Sequence, residues 1–187
     1  PGWAGTITSD NGLNPLRVYE WQRAWYTEMA AGGLREKLAL LWHDHFATGH
    51  EVYRHAAFAV EYLTFLREHA VGPFQPLLQG IGTRPAMLRF LDNEQNEAGN
   101  LNENYAREIL ELFSMGVGNY SEDDIKECAR AFTGWTVKNA EYMALMGAKD
   151  SIWPYGRLFW HFEYRDDDHD DGEKVFLGER GRFNGED

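Results

Sequence analysis

Apolar residues recur at helical spacing through most of the first 132 positions, and at shorter intervals beyond them. Leu16, Val18, Tyr19, Trp21, Trp25 and Met29 predict a first helix, with Asn14 as its cap and Pro15 at the first helical position. Gly32-Gly33 closes it. Leu34, Leu38, Leu41, Trp42 and His45 predict the apolar stripe of a second helix, from about Leu34 to Thr48, broken by Gly49. On that reading His45 points toward the core. His43, about 200° round the helix, faces elsewhere. Residues 51–70 predict the longest helix, with one stripe through Ala56, Ala59, Leu63 and Leu66 and another through Phe58, Tyr62 and Phe65. Two adjacent stripes imply a central helix with neighbours on several sides. Two short helices are predicted at 74–81 and 85–91, and an Asn-rich polar loop at 92–100.

Residues 101–118 concentrate the chemistry. Asn102 is the expected N-cap, Glu103 follows at the positive end of the helix dipole, and Gly116 and Gly118 provide the stop. Tyr105, Ile109, Leu112 and Phe113 make the expected core face, widened by Ala106 and Leu110. Asn104, Glu108 and Glu111 fall at i, i+4 and i+7 and share one stripe. Arg107 is placed to pair with Glu103 or Glu111. The stripe is either a solvated ion ladder or a polar set aimed into a cleft. Ser121 with Asp124 resembles a capping box for a helix through Ile125, Cys128, Ala129 and Phe132, ended by Gly134. After Trp135 the period shortens. Trp135–Val137, Leu158–Tyr164 and Val175–Leu177 predict a small antiparallel β-ribbon of two or three strands. The fold class expected is therefore mainly α, with six to seven helices and this ribbon near the C-terminus.

Composition narrows the picture. At 187 residues the chain fits an arm or linker over 1–14 and one helical domain over 15–187. Apolar residues at 43% and aromatics at 14% are enough for a substantial core. A net charge of −12 repels phosphate backbones, so no nucleic acid partner is expected. Residues 163–187 alone carry ten acids against four bases. No run approaches a membrane span. The single cysteine, Cys128, allows no intrachain disulfide and sits at an apolar position. Starting at Pro1 rather than Met, the chain reads as a piece of something longer.

No Gly-rich nucleotide loop, nucleophile elbow, paired-cysteine motif or zinc-protease motif is present. Three kinds of chemistry remain. Asn93 and Asn96 in the polar loop, with Arg107, would hold a polar ligand. Glu108 or Glu111 as base or ligand, His45 as ligand or acid and Asn104 as orienting group would make a metal-assisted or carboxylate-based hydrolase, provided His45 lies near Glu108. Asp166, Asp168, Asp170 and Asp171 would bind a divalent cation such as calcium, although the glycine and glutamate spacing of an EF-hand is absent.

The run Asn102 to Glu108, continued by Leu110 to Gly118 and then by Tyr120, Asp124 and Ala129 to Trp135, resembles the bacterial family called domain of unknown function 1800. Leu34 to Lys37 with Trp42, His43, His45 and Phe46 is similar to the family's early motif. Pro85 to Leu88 with Leu91, Asp92, Asn93 and Asn96 resembles the next, and His169-Asp170 with Gly172, Lys174 and Leu177-Gly178 a later one. The resemblance covers about residues 15–185. It implies the central part of a domain that is longer at both ends in family members, many of which look exported, to the periplasm or beyond the cell. It implies no reaction. The expectation is a non-catalytic binding or structural module of an exported bacterial protein, partnered by the rest of its own chain or by another exported protein. The hydrolase is the alternative.

Overall fold

The computed structural model describes residues 14–49, 56–138 and 161–187. Residues 1–13 of the expected arm over 1–14, the start of the third helix with His50 and His55, and the loop and strand segment over 139–160 lie outside the described residues.

Seven α-helices occupy these residues, followed by two short strand pairs. Helices α1 (Asn14–Ala30), α2 (Leu34–Phe46) and α3 (Ala56–His69) pack on one another, and α4 (Phe74–Gly82) and α5 (Pro85–Phe90) pack on α3. Helix α3 has the central place that its two stripes imply: Ala56, Phe58, Ala59, Tyr62, Leu63 and Leu66 are all buried. Among the described residues no helix is long and apolar enough to cross a membrane.

Helix α2 is rotated from its sequence-based reading. It buries Glu36, Ala39 and Phe46, whereas Leu34 and Leu41 are exposed at 68% and 53%. The cause is Glu36. Its carboxylate accepts from the Trp25 indole N–H at 2.7 Å and from Arg67 Nε and Nη2 at 2.7 and 2.8 Å, while Arg67 also pairs with Glu28. A buried carboxylate needs such partners, and making them turns this face inward. His43 turns in with it, packed between the rings of Trp25 and Tyr62 at 6.3 and 5.7 Å. The helix ends at Phe46, with Ala47 in the left-handed region at φ 47°, ahead of the expected break at Gly49.

The signature helix starts later than expected. Helix α6 spans Asn104–Glu108 and continues as a π-helical turn over Ile109–Ser114. The N-cap is Glu103, without a side-chain cap bond, and Asn102, the expected cap, stands one residue before it with its Oδ1 accepting the Asn104 amide at 3.0 Å. In the π segment Ser114 Oγ donates to the Ile109 carbonyl at 2.7 Å, and the Met115 amide reaches Leu110 O at 2.9 Å. The wider turn shifts later side chains round the axis, so Leu112, expected in the core, is 55% exposed.

Helix α7 (Glu122–Ala131) opens with a complete Ser121/Asp124 capping box. The β-structure is two separate antiparallel pairs. Strand β1 (Trp135–Lys138) pairs with β2 (His161–Tyr164), and β3 (Lys174–Phe176) with β4 (Glu179–Gly181). The sequence reading missed β4, whose residues are polar; Leu177 and Gly178, both at positive φ, make the turn before it. The main hydrophobic core lies among α1 to α5 and reaches Tyr105, Phe113 and Trp135. A second cluster, Ala106, Leu110, Ile125, Cys128 and Ala129, joins α6 to α7.

Candidate functional site

Residues of the polar stripe on α6 have local partners. Asn104 is exposed, and its Nδ2 donates to Leu91 O at 3.2 Å. Arg107 forms a two-pronged pair with Glu122 at 2.8 and 3.1 Å and a longer one with Glu103 at 3.5 Å, rather than with Glu111. Glu111 accepts from the Tyr120 hydroxyl at 3.2 Å. Glu108 is half-buried; burial, then the Glu111 charge, raises its carboxyl above the usual range. Helix α2 does pack on this segment, but at its far end. His45 Nε2 lies 3.4 Å from Phe113 O, and its ring sits among Trp42, Phe46, Phe74 and Phe113. The nearest polar partner of His45 is thus a backbone carbonyl. Among the described residues no group of three or more His, Cys, Asp or Glu is arranged to hold a metal ion.

The asparagine loop divides in two. Asn93 and Asn96, expected on a cleft wall, are buried at 0% and 1% exposure. Asn93 Nδ2 donates to Trp135 O at 2.8 Å and Phe132 O at 3.2 Å. Asn96 Nδ2 donates to Ala129 O at 2.8 Å and to Asn93 Oδ1 at 3.3 Å, and its Oδ1 accepts the Asn102 amide at 3.0 Å. These carboxamides substitute for backbone partners where α7 ends and β1 begins, a place that would otherwise leave carbonyls unsatisfied. The residues that do face outward are Gln95, Asn100, Asn102 and Glu103, around a shallow polar hollow.

The acidic loop is knitted to α7. Arg130 holds Asp170 through Nε at 2.7 Å and Nη2 at 3.1 Å, which keeps the Asp170 carboxyl down at about 2. Asp168 pairs with Arg165 at 2.7 Å, and burial, then the charge of Asp166 with its hydrogen bond, raises the Tyr164 hydroxyl. Asp171 is exposed. Lys174, 1% exposed, donates to the carbonyls of Asp170 and Gly172. Thr133 joins the same knot: its Oγ1 accepts the Asp170 amide at 2.8 Å and lies 3.1 Å from His169 Nδ1. Gly134 takes φ +81° where a Cβ would stand 2.5 Å from Arg165 O, so this position excludes side chains. Three of the four aspartates expected to share a cation, Asp166, Asp168 and Asp170, therefore serve different partners.

On the other side of the signature helix lies a cavity of about 720 Å³. Leu78 and Gln79 of α4, Tyr105, Ile109, Leu110 and Met115 of the signature helix, and Cys128, Ala131 and Phe132 of α7 form its walls. Trp135, strands β3 and β4 and the tail 183–187 complete it. Tyr105, Phe132 and Trp135 make a continuous aromatic wall, with ring centroids 5.0 and 4.9 Å apart. The tail crosses closely: a Cβ at Gly185 would stand 2.4 Å from the Trp135 ring, so only glycine permits this approach. Burial pushes the Cys128 thiol up to about 12, which leaves it an unreactive wall atom.

Sequence reasoning missed this cavity, because its lining reads as ordinary core. The available signal was the width of the apolar face on 105–113, broader than one neighbouring helix covers.

The model of the family described as "Protein of unknown function (DUF1800)" matches residues 8–187. No curated protein and no solved structure matches the chain.

Proposed function

This chain belongs to the DUF1800 family of proteins of unknown function, and from the geometry of its site we propose that it is a non-catalytic binding module of an exported bacterial protein. The observation that carries the reading is the cavity of about 720 Å³ beside the signature helix. Its size falls within the range of small-molecule sites, which are mostly apolar with a few polar groups that orient the ligand. Here Gln79, Thr83, Ser114 and Asn184, with Glu179, Glu186 and Asp187 at the rim, are such groups on a mainly apolar lining. The ligand is a small molecule with an apolar body. Asn93 and Asn96 support the site from behind, by fixing the α7–β1 corner that carries Phe132 and Trp135. The export half of the reading rests on the family resemblance. Its partners are other segments of the same exported chain or another exported protein, a reading supported by Leu34 and Leu41 exposed on α2. Nucleic acid is not a partner in this reading, given the net charge of −12.

Titrating a neutral aromatic probe such as naphthylmethanol into the full chain tests it. Saturable quenching of tryptophan fluorescence is expected, with Kd on the order of 10–100 μM for roughly 0.5 kcal/mol per heavy atom. The binding should be lost in Ala131→Phe, which places a ring inside the cavity. Linear, unsaturable quenching that Ala131→Phe leaves unchanged would contradict the proposal.

One observation favours a second reading, a carboxylate-based hydrolase: Glu108 is half-buried beside Glu111, with its carboxyl raised. Ester and glycoside hydrolysis by the full chain, reduced about 100-fold or more in Glu108→Gln, is the result it requires. Equal rates in the two proteins would remove it.

A further inference from the structure

We infer that the cavity takes a cationic ligand: a small molecule with an apolar body and one positive charge, of the arylalkylamine class. This rests on the binding reading above and adds the charge to it. Among the described residues no lysine, arginine or histidine lines the cavity, whereas Glu179 of β4 and Glu186 and Asp187 of the tail do. All three acids are exposed. The nearby Arg180 is engaged by Glu173 at 3.1 Å, and Arg182 does not line the cavity. A carboxylate or phosphate entering here would meet three like charges and no cation.

The wall below the rim points the same way. Tyr105, Phe132 and Trp135 line it, packed edge to face, and the negative face of an aromatic ring attracts a cation within about 6 Å of its centroid. Asn184 fixes part of the rim: its amide donates to Asp187 Oδ2 at 2.9 Å, and its Oδ1 accepts the Glu186 amide at 2.8 Å. Glu186 and Asp187 are therefore held in a turn whose Gly185 lies against the Trp135 ring. An ammonium at the mouth and an aryl group inside satisfy both layers at once.

The test uses three probes with one hydrocarbon body, naphthylmethylamine, naphthylmethanol and naphthoate, each titrated into the full chain by calorimetry. At low salt the amine should bind about ten-fold tighter than the alcohol, and naphthoate more weakly than the alcohol. The preference should shrink to about two-fold or less in roughly 1 M NaCl, where exposed charges are screened. Glu179→Gln, an exposed substitution on β4, should reduce it by roughly two- to three-fold at low salt. An alcohol that binds as tightly as the amine overturns the charge inference and leaves the binding reading standing. Naphthoate binding tightest also overturns it. If none of the three binds, the binding reading fails and this inference fails with it.

Discussion

Replacing Asn96 by leucine removes a side chain that bonds Ala129 O, Asn93 Oδ1 and the Asn102 amide while fully buried. Each partner left without water or protein costs free energy, so a loss of roughly 2–4 kcal/mol is expected from urea denaturation. Gln95→Leu, at an exposed neighbour, should stay within about 0.5 kcal/mol. The asparagines were visible in the sequence as a group, but which ones turn inward was not. That division depends on carbonyls at Ala129, Phe132 and Trp135, more than 30 positions further on. His45 of α2 does sit among apolar rings, as its spacing implied, but His43 was misplaced for a related reason. Apolar spacing favoured His45, yet the Glu36–Arg67–Trp25 cluster sets the rotation and brings His43 inside. His43 Nδ1 is buried with no hydrogen-bond partner among the described residues. Burial pushes its pKa below the ordinary 6.5, against the opposing charge of Asp44. A histidine depressed on folding binds its proton more readily when unfolded, so its contribution is present above 6.5 and is lost as pH falls through the folded value. Stability measured from pH 8 to 5 should decline over this interval, and His43→Phe should flatten it. A second decline is expected between about 4 and 2, as Asp170 is protonated away from Arg130.

At the scale of elements, α7 links the helical body to the C-terminal strands through its acidic side chains. Asp124 closes the capping box with Ser121, and its other oxygen accepts the Leu177 amide at 2.7 Å. Glu127 accepts the Val175 amide at 3.0 Å and pairs with Arg130 at 2.7 Å. Ser121→Ala should therefore cost about 1 kcal/mol, the usual value of a cap. Asp124→Ala should cost about 2–3 kcal/mol, because it also strips an acceptor from strand β3 and its turn. Equal costs by denaturation would contradict the linking role. The box itself was legible, since it is written within four residues. Its second bond spans 53 positions and was not. The π-helical turn at Ile109–Ser114 was likewise hidden, because apolar spacing alone does not separate an α from a π winding over a single turn. Most helix positions were legible because glycine, proline and cap residues punctuate them. The β4 strand was not, as Glu179–Gly181 has no apolar alternation.

For the whole molecule, the consequence is a division of labour within the family signature. Asn93, Asn96, Arg130, Thr133, Gly134, His169, Asp170 and Lys174 build a hydrogen-bonded corner, and that corner supports an aromatic wall. The signature thus reads first as architecture, with the proposed ligand site on its apolar side rather than on the polar stripe that the sequence singled out. A cavity is a property of several elements at once, and each of its lining residues alone is indistinguishable from core. The most direct measurement is a set of intermolecular NOEs between bound naphthylmethylamine and the methyl groups of the full chain. NOEs to Leu78, Ile109, Leu110 and Met115, all of which line the cavity, are the expected result. NOEs confined to Leu34 and Leu41 on the exposed face of α2, or no saturable contacts at all, would contradict the account.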